Sequence, residues 1–291
     1  MEWMDSLRQS IKYMEEHLYD DISAEDIADK AYMSSFYFQK GFKIITGYSI
    51  GEYIRCRRLY LAGLDVLRGE VKIIDLAYRY HYENPESFTK AFHRFHGVSP
   101  MQLKKDPGRL KTFLPLRISI SIQGGKEMDY MIEYIEEIEV IGFRKDIVTE
   151  TSYRDIPKAW NEVSQICEHT KDKEITDILD SCFMGEYGIC INDGTQRDQF
   201  QYLMAGKYHG QSIPKGMTVY QIPAGTYVKF KCRGPLPEAL QSVNTRIYKE
   251  WLPEHPEYEF CGDRNVEWYS KGDMQASDYA CEIWMPIRRV A

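Results

Sequence analysis

The chain predicts a multidomain protein. An all-α N-terminal domain with two helix-turn-helix units joined by a long helix precedes an α+β C-terminal domain of duplicated strand-helix-strand units around a central cleft. Three observations carry this. A pattern written over residues 21–50 recurs over 71–100. Apolar positions keep helical spacing in the front of the chain and alternate in the back. The net charge of −7 divides unevenly, +2 over residues 1–120 and −9 over the remainder. At 291 residues there is enough chain for two separate cores.

Leu7, Ile11, Met14 and Leu18 place an amphipathic helix over 5–19. Ser23 caps a second helix at about 24–31, with Asp26 as the acidic partner near its start. A third helix begins at Ser34 or Ser35 and ends at Gly47. Ile50, Tyr53, Ile54, Leu61, Leu64 and Leu67 then recur at the spacing of one long helix over 49–67. The second copy repeats the landmarks in order: Leu76-Ala77 for Ile27-Ala28, Phe88 for Phe38, Lys90 for Lys40, Phe92 for Phe42, Gly97 for Gly47 and Ser99 for Ser49. The offset grows by one residue across the turn, an insertion that loops absorb and packed helices do not. Phe38, Phe42, Phe88 and Phe92 lie at i, i+4 and are expected in the core, and Ala28 and Ala77 let helices cross closely.

F-x-K-x-F-K-x-x-T-G-Y-S (38–49), Y-I-R-x-R-R-L (53–59), D-L-A-Y (75–78) and P-E-S-F-T-K-A-F-H-R-F-H-G-V-S-P (85–100) carry a resemblance. Residues 5–107 resemble the DNA-binding domain of the AraC/XylS family of bacterial transcription regulators. The resemblance implies double-stranded DNA as a partner, with two recognition helices entering successive major-groove segments about 34 Å apart. It places base-facing residues at Phe36, Gln39 and Lys40 of the first recognition helix and at Pro85, Glu86, Thr89 and Lys90 of the second. Gln reads adenine, Lys approaches guanine, Phe packs on a thymine methyl and Glu accepts from cytosine. Lys43 and Arg94 add local positive charge. On residue type the first helix is the better equipped reader, since a carboxylate at Glu86 also repels phosphates. The turn position that is often Gly in the family is Tyr32 in one copy and His81 in the other, so a positive φ there would be strained.

Asp106-Pro107-Gly108 breaks the helical pattern. We expect a DNA-binding domain over 1–108, a linker with some extended structure over 109–126, and a second domain over 127–291. In the second domain, alternation predicts strands over 131–148, 184–192, 217–222, 227–232, 266–269 and 279–287. Helices are predicted from Ile156 to about Thr170, opened by Pro157 at its first position, and from Leu236 to Leu252. F-Q-Y-L-M-A-G (200–206), I-P-A-G-T-Y-V-K-F-K-C-R-G-P (222–235) and C-E-I-W-M-P-I (281–287) resemble the gyrase-inhibitor-like (GyrI-like) effector-binding domain. The resemblance implies a small-molecule effector, hydrophobic and in some cases cationic. It matches the pocket glutamate to Glu282, which strand alternation puts on one face with Trp284. Trp268, Tyr187, Tyr202, Tyr227 and Tyr269 are further candidates for the pocket wall. RNA polymerase is an expected partner of such a regulator.

Other classes find little support. Seven cysteines without a C-x-x-C spacing read as reduced thiols. His93 and His96 have no third ligand nearby in sequence, so neither a metal nor a cofactor is expected. No apolar run approaches the roughly 18 residues of a membrane span, and M-E-W-M-D-S-L-R lacks the layout of a signal peptide, so the expected address is the cytoplasm. The chain is not expected to be an enzyme. The alternative is a GyrI-like hydrolase fused to a DNA-binding head, with the pocket Glu as general base.

Overall fold

The computed structural model describes residues 3–31, 34–69, 72–118, 128–192 and 199–290. The chain separates into two compact units between Ile122 and Gln123.

The first unit holds α1 (Trp3–Glu16), α2 (Ala24–Lys30), α3 (Ser35–Thr46), α4 (Ile50–Arg68), α5 (Ile73–Arg79), α6 (Pro85–His96) and α7 (Pro100–Lys105). The repeated landmarks are helix stops and starts. Gly47 and Gly97 end α3 and α6 with φ of 80° and 75°, a conformation that a side chain would strain. Two residues later Ser49 and Ser99 open α4 and α7, each in a capping box with Glu52 or Gln102. Ser23 and Asp26 form the same device at α2. Between the stops, Phe38, Phe42, Phe88 and Phe92 are fully buried, and Ala28 and Ala77 sit where helices meet. Of the two turn positions, Tyr32 lies outside the described residues, while His81 takes a φ of 63°. Its ring bonds the Tyr19 carbonyl at 2.8 Å, which helps hold a conformation costing on the order of 1–2 kcal/mol.

The expected linker is fastened to this unit at its start. Leu110 packs on the α4 backbone, where a Cβ added at Gly63 would lie 2.6 Å from Leu110 Cδ1. The Lys111 amide donates to His96 Nδ1 at 3.1 Å, so the ring proton sits on Nε2, which donates to the Leu59 carbonyl at 3.0 Å. The Phe113 ring stands edge-on to Tyr48 at 5.3 Å and also meets Tyr53 and Phe95. The cause is a buried charge. Arg57 on α4 is held by Glu15 through Nε at 2.8 Å and Nη2 at 2.7 Å, and its Nη1 is completed by the Phe113 carbonyl.

The second unit comprises β1 (Tyr130–Ile135), β2 (Ile138–Val148), α8 (Ser152–His169), α9 (Lys173–Ser181), β3 (Tyr187–Ile191), β4 (Gln199–Lys207), β5 (Thr218–Ile222), β6 (Gly225–Arg233), α10 (Glu238–Arg246), a π turn over Ile247–Trp251, α11 (Leu252–Glu254), β7 (Tyr258–Phe260), β8 (Arg264–Tyr269) and β9 (Ala280–Arg289). The antiparallel sheet has the order β1-β6-β9-β8-β3-β4-β2-β5, with β7 added to the end of β9. Exchanging β1 with β5, β2 with β6, β3 with β8 and β4 with β9 reverses that order onto itself, so the two repeats are related by a pseudo-twofold axis between β3 and β8. Ile189 and Val266 are paired at this axis. Each repeat also lends its first strand to the other: β1 pairs β6 and β5 pairs β2.

Each repeat contributes helix to the same sheet face. Trp160 of α8 packs on Tyr202 and Tyr269, and Trp251 of the π turn packs on Phe230. Two helix expectations need correction. α8 begins at Ser152, so Pro157 lies inside the helix rather than at its first position. α9, capped by Asp172, was not foreseen. The single strand expected over 131–148 is two, separated at Glu136-Glu137.

Two predictions follow from the packing. A Cβ at Gly142 would lie 2.0 Å from the Met204 carbonyl oxygen, whereas Gly51 in α4 faces open space. Gly142→Ala should cost more than about 2 kcal/mol in chemical denaturation, and Gly51→Ala should gain about 0.5–1 kcal/mol. Burial, aided by the Lys111 charge, depresses the His96 pKa below its ordinary 6.5. The neutral ring that accepts from Lys111 is therefore complete above that value and is lost as pH falls below it. Hydrogen exchange at the Lys111 amide should accelerate, relative to the intrinsic rate, as pH falls below about 6.5, and His96→Gln should remove this pH dependence.

Candidate functional site

The recognition helices present unequal surfaces. On α6, Glu86, Lys90, His93 and Arg94 are exposed. Thr89 is half-buried and its hydroxyl donates to the Pro85 carbonyl at 2.7 Å, leaving its lone pairs as acceptors. On α3, Gln39, Lys40 and Lys43 are half-buried, and the Gln39 amide donates to Ser35 Oγ at 3.0 Å. Phe36, expected at a base edge, is interior instead. It is 8% exposed and its ring stands edge-on to Tyr37 at 5.1 Å. In exposure the second helix is the more available of the two, the reverse of the order expected from residue type.

Strand parity separates the expected pocket residues. Register places Tyr187, Tyr227, Trp268, Glu282 and Trp284 on one sheet face and Tyr202 on the face roofed by the helices. On the first face the Trp284 indole N–H donates to Glu282 Oε2 at 2.6 Å, and Lys229 Nζ stands 3.9 Å from the centre of the Trp284 ring. The chain's own lysine, itself paired with Glu133, thus fills the cation position over Trp284.

The roofed face holds the carboxylate that sequence reasoning missed. Glu267 on β8 is 8% exposed and lies beside the pseudo-twofold axis. Tyr202 OH donates to its Oε2 at 2.6 Å, and Tyr269 OH donates to the same oxygen at 2.9 Å, so Oε1 receives neither bond. Tyr202 reaches Glu267 across β3 only because residue 188 is glycine, since a Cβ there would lie 2.2 Å from the Tyr202 hydroxyl. The Trp160 indole donates to the Tyr202 oxygen at 3.2 Å. Burial, reinforced by the Glu267 charge, pushes both tyrosine hydroxyls well above their ordinary range, so they stay protonated as donors. From the roof, Tyr153 of α8 and Asn244 of α10 bond each other near this group, and Asn244 Oδ1 is buried with no hydrogen-bond partner among the described residues.

A cleft of about 590 Å³ lies at the end of β8, with Tyr269 in its lining. Phe183, Glu186, Lys207 and Trp268 also line it, and the Trp268 indole donates to Glu186 Oε1 at 3.2 Å. One signal for Glu267 was present in the sequence: V-E-W-Y alternates, which puts Glu267 with Tyr269. Alternation does not say which face the helices cover. Among the described residues no group of three metal-ligating side chains occurs, and no helix is long and apolar enough to cross a membrane.

A helical unit with two capped recognition helices, joined to a pseudo-symmetric sheet that buries a carboxylate under two helices, defines a DNA-binding head with an effector-binding domain. Residues 27–106 match the helix-turn-helix domain family, and residues 131–287 match the family described as integron-associated effector binding protein, Cass2. The chain therefore belongs to the Cass2 family of GyrI-like effector-binding proteins and carries an AraC-type helix-turn-helix domain. It is 33% identical over 114 residues to the uncharacterized HTH-type transcriptional regulator YbfP of Bacillus subtilis, covering 39% of this chain and 36% of that one. It is 33% identical over 84 residues to the regulatory protein SoxS of Salmonella typhimurium, covering 29% of this chain and 78% of SoxS. The chain thus spans about a third of the length of YbfP. A solved structure of SAV2435 bound to tetraphenylphosphonium is similar at 19% identity and a TM-score of 0.47, covering 55% of this chain and 94% of that one.

Removing Glu267 leaves two buried hydroxyls without their acceptor. Glu267→Ala should lower unfolding stability by about 2–4 kcal/mol, and adding Tyr202→Phe should recover part of that loss. Denaturant titration of the single and double variants measures the coupling, and additive losses would show that the hydroxyl is satisfied elsewhere.

Proposed function

We propose that this chain is a one-component transcriptional regulator acting in the cytoplasm. Its C-terminal domain receives a small hydrophobic molecule that bears a positive charge or hydrogen-bond donors. Binding changes how the N-terminal helices engage promoter DNA or recruit RNA polymerase. The observation that carries the reading is the arrangement at Glu267. Its Oε2 is committed to two tyrosine hydroxyls, its Oε1 is not, and aromatic walls surround it beneath two helices. A carboxylate so enclosed favours a cation that brings its own apolar surface, because charge pairing strengthens where water is excluded. For DNA, the reading assigns groove contacts to Glu86, Thr89, Lys90 and Arg94 on α6 and to Gln39, Lys40 and Lys43 on α3.

Control requires that the effector bind two states of the protein with different affinity. Selection of bound duplexes from a random pool, followed by titration with tetraphenylphosphonium and the neutral triphenylphosphine oxide, tests both halves. An enriched duplex should lose affinity steeply with salt, and the cation should shift that affinity. Glu267→Gln should weaken the cation by about 10- to 100-fold and leave ligand-free DNA affinity unchanged. A pool with no enriched duplex would refute the regulator reading. The second reading, hydrolysis with Glu267 as general base beside Tyr202 and Tyr269, predicts turnover that Glu267→Gln abolishes. Stoichiometric recovery of unchanged ligand counts against it.

A further inference from the structure

The segment 110–116 lies outside both matched families, which cover 27–106 and 131–287. It is nevertheless bonded to both copies of the duplicated unit. Lys111 is fixed at the second copy by His96 at the end of α6, and Leu110 packs on the second half of the connecting helix α4 at Gly63. Lys111 Nζ also stands 4.9 Å from the Phe95 ring centre. Phe113 reaches the first copy at Tyr48 and the second at Phe95, and with Leu116 it is fixed on the first half of the connecting helix α4. The Phe113 ring lies against Tyr48 and Tyr53, its carbonyl accepts from Arg57, and the Leu116 amide donates to Tyr53 OH at 3.3 Å. Tyr53 OH in turn donates to Glu15 Oε1 at 2.6 Å, which ties the strap to α1 as well.

A single helix between two bodies fixes their separation but leaves bending and twisting soft. A second fastening beside that helix removes most of this freedom. We propose that residues 110–116 are a strap that sets the relative placement of the two recognition helices, and that Phe113 is its positioning residue. The strap leads directly into the chain that connects to the effector-binding domain. Given the regulatory role proposed above, it is then the element through which effector binding loosens or tightens the DNA-reading pair. An effector-driven pull on one segment would alter the match to two groove segments without touching either recognition helix.

The test uses the full chain and Phe113→Ala, with Phe113→Leu as the conservative variant. Nitroxides on unnatural residues at positions 29 and 78, on α2 and α5, report the distance between the copies whether or not DNA binds. The distribution should be narrow in the parent chain and in Phe113→Leu, and broadened in Phe113→Ala. Amide exchange at Lys111 and Leu116 should rise in Phe113→Ala, while the amides within α3 and α6 keep their protection. On a selected duplex, moving the two contacted segments apart by one base pair should cost the parent chain about tenfold in affinity and Phe113→Ala less than about threefold, because a flexible pair accommodates either spacing. An unchanged distance distribution in a variant whose strap amides have become unprotected overturns the proposal. So does a retained spacing preference in that variant. If no duplex is selected, the regulator reading fails by itself and the distance measurement still decides the strap.

Discussion

The β3–β8 ladder is the constraint on which the effector-binding domain depends. It brings the inner edges of two repeats together, so whatever lies beside it is enclosed by both. On one face the Ile189 and Val266 side chains meet in an apolar core. On the other, Gly188 opposite Glu267 leaves a gap in the side-chain layer of β3, through which Tyr202 of β4 reaches the carboxylate of β8. A larger residue at 188 would close that passage and isolate an acidic group below two helices, an arrangement that burial penalises heavily. The site thus rests on what one position lacks.

The helical unit solves a comparable problem with opposite charge. Arg57 is 5% exposed, and a guanidinium so covered must satisfy its donors. Glu15 supplies a bidentate partner from α1 to Nε and Nη2, and an Nη1 donor draws in the Phe113 carbonyl. Asp65 plays a related part in the second copy, accepting from Arg68, Arg79 and Tyr80. The duplicated framework is therefore held differently in its two copies. The first gathers its polar ties around a buried cation, Arg57, and the second around a buried anion, Asp65.

What could be read from the residues follows the range of the interactions involved. Gly47, Gly97, Ser49 and Ser99 act on their nearest neighbours, so the stops and caps of both units were legible, as were the phenylalanine pairs at i, i+4. Pro157 misled because α8 begins five residues earlier, at Ser152, with no side-chain cap at Thr151 to announce that start. The resemblance points to Glu282, and alternation, which assigns side chains to faces, does not name the roofed face that holds Glu267. Both sit in aromatic-rich strands, and only tertiary packing distinguishes them. Phe36 could not be placed from helical spacing alone, since the adjacent Tyr37 is also buried. The stretch after Asp106 reads as a connector because its tie to Arg57 spans 56 residues of sequence, beyond the reach of any periodicity.

The exchange of first strands between the repeats has a mechanical meaning. Because β1 completes the second repeat and β5 completes the first, the two halves are interlocked like clasped hands and cannot draw apart without breaking three ladders at once. The sheet is then the fixed floor of the domain. Under the function proposed above, a bulky molecule bound for Glu267 would enter only if the helices over it shifted, which would put the sensor's moving parts in α8, α10 and the π turn that carries Tyr248 and Trp251.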